Sequence, residues 1–187
     1  MSRSKKAPRA DDQQERLAEF IGWIVGFTDG EGCFSIGFVK QNDRKEKTRI
    51  RRGYKTGYQV FHEFAVTQGM SSLSALKEIK NYFGVGNLYI NKRYDNHHEH
   101  LYRYVVRRRE DLLNVIIPFF QKHQLRTMKR DDFKKFVRGV SLVARGVHLE
   151  KKGLMKIANI ANTMNRAKPG KVLARILRDH TSNIPRG

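Results

Sequence analysis

From residue 15 onward the hydrophobic positions of the chain change period in an ordered way. Leu17, Phe20, Ile21, Ile24 and Phe27 recur at helical spacing, and Thr28-Asp29-Gly30-Glu31-Gly32 supplies the residues that stop a helix. The helix is therefore expected to end at Asp29, with Glu31 just beyond it. From Cys33 to Gln41 the period falls to two. Phe34, Ile36 and Phe38 alternate with Ser35, Gly37, Val39 and Gln41, as in a strand with one buried face. A long basic connection, Asn42 to Gly57, leads to a second strand, Tyr58 to Thr67, in which Tyr58, Val60, Phe64 and Val66 share the apolar side. His62 is the polar exception on that side, and the two strands are expected to pair as a hairpin.

The same types then recur. Leu73, Leu76, Ile79 and Phe83 mark a helix capped at Ser71 or Ser72 and ended by Gly84 and Gly86. Strands from Gly86 to Tyr94 and from His100 to Arg107 flank the polar turn Asp95 to Glu99, and Asp111 can cap a helix through Ile117. The order is αββαββα, an α+β class. Beyond Pro118 three apolar faces follow at helical spacing: Phe133, Phe136, Val137, Val140 and Ala144, then Leu154, Ile157, Ala158 and Ala161, then Val172, Leu173 and Ile176. These are expected to form C-terminal helices that cover the core.

Composition narrows the function. The 187 residues suit a single domain from residue 15 to 187, with its helical tail starting near residue 125, behind a disordered basic arm of residues 1–14. A formal charge of +20 calls for a polyanionic partner, and nucleic acid is the obvious one. No run approaches the roughly 20 apolar residues needed to span a bilayer, and the N-terminus lacks the apolar stretch of a secretory signal. The protein is expected to be intracellular, in the cytoplasm of a prokaryote or in an organelle. The lone Cys33 excludes an internal disulfide framework.

The strongest local signal is Trp23-Ile24-Val25-Gly26-Phe27-Thr28-Asp29-Gly30-Glu31-Gly32. Gly22 and Gly26, four residues apart, offer a groove for the close approach of another helix. Without such packing each glycine costs a helix about 1 kcal/mol relative to alanine. The acids stand at the C-terminal end of the helix, where its dipole opposes negative charge. Placing them there suits a hard divalent cation, which takes oxygen ligands such as the Glu31 carboxylate and the Gly30 carbonyl. The plainer reading is a solvated helix-ending turn, in which Asp and Gly are common.

Ile24-Val25-Gly26-Phe27-Thr28-Asp29-Gly30-Glu31-Gly32 resembles the LAGLIDADG motif of homing endonucleases, with Glu in the acidic position. Phe64-Ala65-Val66-Thr67-Gln68, Phe83-Gly84-Val85-Gly86 and Ile117-Pro118-Phe119-Phe120 extend the resemblance over about residues 15 to 165. It implies the αββαββα fold of that family, with a saddle-shaped antiparallel sheet and C-terminal helices. It also implies that Glu31 ligates the catalytic Mg²⁺ or Mn²⁺ with the Gly30 carbonyl in support, and that Gln68 holds a metal-bound or attacking water. The family's basic active-site residue falls after Pro118-Phe119-Phe120, on Lys122 or His123. Asp29 ranks below Glu31, as a residue that helps to close the turn.

One motif copy is present, so the resemblance implies a homodimer packed through the motif helices, with Gly22, Trp23, Gly26 and Gly30 at the interface. Double-stranded DNA would lie on the outer face of the sheet, since a pleated ribbon fits the major groove. By alternation that face carries Ser35, Gly37, Val39 and Gln41, then Gln59, Phe61 and Glu63, then Tyr89, Asn91 and Arg93, and finally Arg103 and Arg107. Arg44, Lys45, Lys47, Arg49, Arg51 and Arg52 in the basic connection suit phosphate contacts. His97, His98 and His100, in a polar turn without cysteine, make a weak transition-metal site. The function expected is a site-specific double-strand DNA endonuclease encoded within an intron. An intron RNA-binding maturase, or a noncatalytic DNA-binding regulator on the same scaffold, is the alternative.

Overall fold

The computed structural model describes residues 10–41, 44–45, 48–92, 99–165, 173–176 and 178. Helix α1 (Ala10–Glu31) leads into strand β1 (Gly32–Lys40), a small hairpin β2 (Arg44–Lys45) and β3 (Ile50–Arg51), and the long strand β4 (Tyr58–Gly69). Helix α2 (Leu73–Phe83) and strands β5 (Asn87–Asn91) and β6 (Leu101–Val106) follow. A compound helix then runs through α3 (Arg109–Asp111), a π-helical stretch (Leu112–Ile116) and α4 (Ile117–Lys122). Helices α5 (Lys129–Ala144) and α6 (Lys151–Asn162) come last of those with assigned ranges. The main sheet is antiparallel in the order β1-β4-β6-β5.

The period-two pattern makes the sheet two-faced, and its apolar side is buried under the helices. Phe34, Phe64 and Tyr104 from the strands meet Ile24, Leu76, Ile79, Leu112, Ile116, Phe120 and Phe136 from the helices, all of them buried. Phe34 stacks on Phe64 at 5.1 Å and meets Phe120, Phe133 and Phe136 at 5.0 to 5.5 Å between ring centroids. A second cluster joins Phe38, Tyr58 and Val60 to Leu142, Val143, Leu154, Ile157 and Ile176, so the C-terminal helices cover the far half of the sheet as expected. Gly139 on α5 lies against Ile36 of β1, leaving no room for a larger residue unless Ile36 shifts. His62, the polar exception, is buried on the apolar side. Burial, reinforced by the positive charge of Arg109, holds its imidazole below the usual range, so it sits in the core as the neutral ring.

Several boundaries differ from those expected. Helix α1 begins at Ala10, within the span assigned to the arm, while residues 1–9 lie outside the described set. It also continues through Glu31, two residues past the expected stop. At the turn that follows, a Cβ on Gly32 would lie 2.6 Å from the Thr28 methyl and 2.8 Å from the Thr28 carbonyl. Only glycine lets helix and strand meet so closely. The basic connection contains the hairpin β2–β3, whose two-residue strands are too short for alternation to reveal. Helix did not break at Pro118, because it stands in the first turn of α4, behind the wider π-helical turn. Ala144, placed on an inward face, is exposed, and Val172 lies outside the described residues. Among the described residues, no helix is long and apolar enough to cross a membrane.

Candidate functional site

Glu31 is the last residue of α1 and its side chain is exposed. No basic residue of α1 offsets the negative end of the helix dipole there. The compensating charge comes from α5. Lys129, its first residue, donates from Nζ to the Gly30 carbonyl at 3.1 Å. Burial pushes the Lys129 amine below the usual lysine range, opposed by Cys33, Asp29, Glu31 and Asp132 around it. An ammonium is thus already drawn to the oxygen expected to help hold a cation.

Asp29 explains how Lys129 arrives. Its carboxylate accepts from Arg126 N at 2.7 Å, Thr127 N at 3.2 Å and Thr127 Oγ1 at 2.8 Å, pinning the α4–α5 loop to the end of α1. Thr127 Oγ1 in turn accepts from Lys129 N at 3.2 Å. Asp29 is therefore a structural anchor for the site. Asp29→Ala should lower unfolding stability by about 2 kcal/mol, the worth of charge-assisted hydrogen bonds, read as a lower urea midpoint with an unchanged slope.

The sheet brings the amide to the same end. Gly32 pairs with Val66, and Gln68 lies two residues further along β4, opposite Tyr102 of β6. Lys122 and His123, expected to supply the basic group, stand at the end of α4. Lys122 ends α4 in a groove lined by Tyr82, Asn114 and Phe119, while His123 packs its ring on Phe119 at 5.0 Å. The amine that the structure brings to Gly30 is that of Lys129, which the sequence pattern did not mark. Its one sequence signal is its place just ahead of the apolar face that begins at Phe133, too general to single it out.

Beside the site, α1 presents a second feature. A Cβ added at Gly22, Gly26 or Gly30 would meet nothing within 4 Å, so this stripe lies open along the helix. Gly22 and Gly26 line a groove of about 480 Å³ together with Ala18, Ile21, Val25, Asp29, His123, Gln124 and Arg126. Trp23 is exposed and lies against Phe20 and Phe27 at 5.3 and 5.2 Å.

The outer face of the sheet holds most of its expected residues. Val39, Phe61, Tyr89, Asn91 and Arg107 are exposed, and Ser35, Gly37, Gln41, Gln59 and Arg103 are half-buried. Gln41 Nε2 donates to Gln59 Oε1 at 2.9 Å. Phe61 lies over Gly37, its partner across the strands. Glu63 departs from the pattern. It is only 7% exposed, because Arg103 and Arg107 close over its carboxylate. Lys45, Arg49 and Arg52 are exposed, and Arg44 and Arg51 fall in β2 and β3. Lys47, Arg93, His97 and His98 lie outside the described residues. Among the described residues no three His, Cys, Asp or Glu side chains cluster to enclose a metal ion.

Residues 24–139 match a family model described as LAGLIDADG endonuclease. An uncharacterized 50.9 kDa protein in ND4 intron 1 of Podospora anserina is 33% identical over 131 residues, covering 69% of this chain and 25% of that protein. The chain spans about a quarter of the length of such curated relatives. Among solved structures, the homing endonuclease I-TnaI superposes with a TM-score of 0.69 at 38% identity, over 85% of this chain and 96% of that one. I-SmaMI, bound to an uncleaved DNA target in the presence of calcium ions, gives 0.67 at 30% identity, over 83% of this chain and 47% of that one.

Proposed function

Because the chain belongs to the LAGLIDADG endonuclease family, we propose that it is an intron-encoded, site-specific endonuclease that cuts double-stranded DNA as a homodimer. The observation that carries this reading is the exposed Glu31 carboxylate, beside the Gly30 carbonyl and Lys129, at the end of a helix whose glycine stripe is open for a second copy. The proportions of the relatives support it, since one copy matches nearly all of I-TnaI but about half of I-SmaMI. Two copies on a twofold axis suit a long, pseudo-palindromic site.

Each site combines an acid, an amide and an amine. Glu31 and the Gly30 carbonyl provide oxygen donors of the kind Mg²⁺ or Mn²⁺ prefers, too few in one chain to enclose an ion, so water, phosphate and the second chain complete the set. A cation held by these oxygens would supply charge neutralisation at the scissile phosphate and would acidify a bound water. Gln68 orients the attacking water through its amide. Lys129, whose Nζ lies 3.1 Å from the Gly30 carbonyl, is placed to set its ammonium against the phosphate. This role falls to Lys129 by contact, in place of Lys122 or His123. The outer sheet face enters the major groove, while Lys45, Arg49 and Arg52 with their basic neighbours hold phosphates.

The test is cleavage of a duplex that joins the sequences flanking the gene. With Mg²⁺ the purified chain should cut both strands, stop on addition of EDTA and recover with excess Mg²⁺. No cutting in Mg²⁺ or Mn²⁺, or tighter binding to the intron RNA than to the duplex, overturns the reading.

A further inference from the structure

Glu63 is placed by alternation on the outer face of the sheet, yet it is the most buried carboxylate described there. Arg103 Nη2 donates to its Oε1 and Arg107 Nε to its Oε2, each at 2.8 Å. Burial pushes the Glu63 carboxyl up, and the two arginines overcome that and hold it below its usual range. One acid therefore fixes two guanidiniums that remain 34% and 55% exposed. For a strand that only had to be soluble, burying a carboxylate on this face would be costly.

The two arginines are held differently. Arg103 faces Thr67 across the strands, so to reach Glu63 it must run back past Ala65 and Val105, which are 2% and 3% exposed. It bonds through a terminal nitrogen, which ties up its fork. Arg107 bonds through Nε, and both its terminal nitrogens stay free of Glu63. The Tyr89 ring, 5.7 Å from the guanidinium carbon, restrains it from the β5 side. A paired set of N–H donors on a fixed plane matches O6 and N7 of guanine on the major-groove edge.

We infer that Arg107 is a specificity-determining residue that reads one guanine in each half-site with its terminal nitrogens, and that Glu63 is its positioning residue. The inference rests on the reading of the chain as a site-specific DNA endonuclease and adds which residue selects which base. Glu63 acts through Arg107 and touches no DNA. Its carboxylate fixes the angle of the fork before DNA arrives, so less side-chain freedom is lost on binding. The same pairing leaves Arg103 to contribute charge to the groove without a free fork.

The experiment selects bound duplexes from a randomised pool, using the full chain without divalent metal, and scores base preference at each position. The wild-type chain should enrich a guanine at one position per half-site. Arg107→Ala should lower preference there about tenfold or more, the usual worth of a bidentate arginine–guanine pair, and leave other positions unchanged. Arg107→Lys should lose the same preference and, with it, the extra affinity for guanine-bearing duplexes, while binding other duplexes more tightly than Arg107→Ala does, because an ammonium is a point charge with no fork. Glu63→Gln should weaken preference several-fold at that one position and leave the other positions unchanged, whatever thermal stability goes with its two 2.8 Å ion pairs. An equal loss at all positions in Glu63→Gln would make it merely structural and overturn the positioning role. A guanine preference that survives Arg107→Lys overturns the inference alone. A wild-type pool with no common sequence overturns it together with the endonuclease reading.

Discussion

Glu31→Gln is expected to lower the single-turnover rate of DNA cleavage by about 10³-fold while leaving duplex affinity within about twofold. The substitution keeps the shape of the side chain and removes its charge. Glu31 is exposed at the end of α1 and none of the hydrogen bonds or ion pairs described engages its carboxylate, so little folding energy is at stake. Stability should hold or rise by about 0.3–1 kcal/mol, because a negative charge leaves the negative end of a helix dipole. Cleavage should collapse, because a neutral amide is a poor ligand for a hard cation. The pairing of effects is the discriminating result. Three measurements suffice: gel-resolved cutting in Mg²⁺, equilibrium binding in EDTA, and a thermal melt. Unchanged cutting would remove Glu31 from the chemistry, and a fall in cutting matched by an equal fall in binding would make it a DNA contact.

Two acids at a helix end that opposes them drew attention to Glu31, but that spacing fits a solvated turn equally well, and it was the resemblance to the family motif that singled the residue out. The main strands were legible too, since Phe34, Phe38, Val60 and Phe64 alternate over a face that is buried on one side only. What escaped depends on contacts between distant residues. Lys129 reaches Gly30 across 99 residues only because Asp29 pins the loop before α5, and local periodicity carries no trace of that bond. Counting forward from Pro118 pointed to Lys122 and His123, which sit at the end of a helix that continued past the proline. Glu63 was placed on the correct face by alternation, but its burial comes from arginines 40 and 44 residues away. The helix runs two residues past the expected stop, because glycine and aspartate in a sequence mark where a helix can end and not where it must.

If the chain pairs through α1 as proposed, Gly26→Leu should give a folded monomer and remove double-strand cutting with it. In the single chain a Cβ at this position meets nothing within 4 Å, so the new side chain has room and strains no internal contact. Leucine is the better helix former by about 0.8–1 kcal/mol, which should hold or raise the stability of the isolated fold. Across a twofold axis the outcome reverses. Each chain brings a leucine into the groove beside Gly22 that the other helix must fill, and overpacking costs about 1–3 kcal/mol per intrusion. With two intrusions per dimer, association should weaken by about 10²-fold or more. Sedimentation equilibrium should then show the single-chain mass at concentrations where the wild-type chain runs at twice that mass. Because each chain carries one acid site, cutting of both strands should fall in step with the dimer population, while the far-ultraviolet circular dichroism stays unchanged. A dimer of wild-type affinity in Gly26→Leu would show that the open stripe on α1 serves some other purpose. A monomer that still cuts both strands at the wild-type rate would separate the chemistry from the twofold axis.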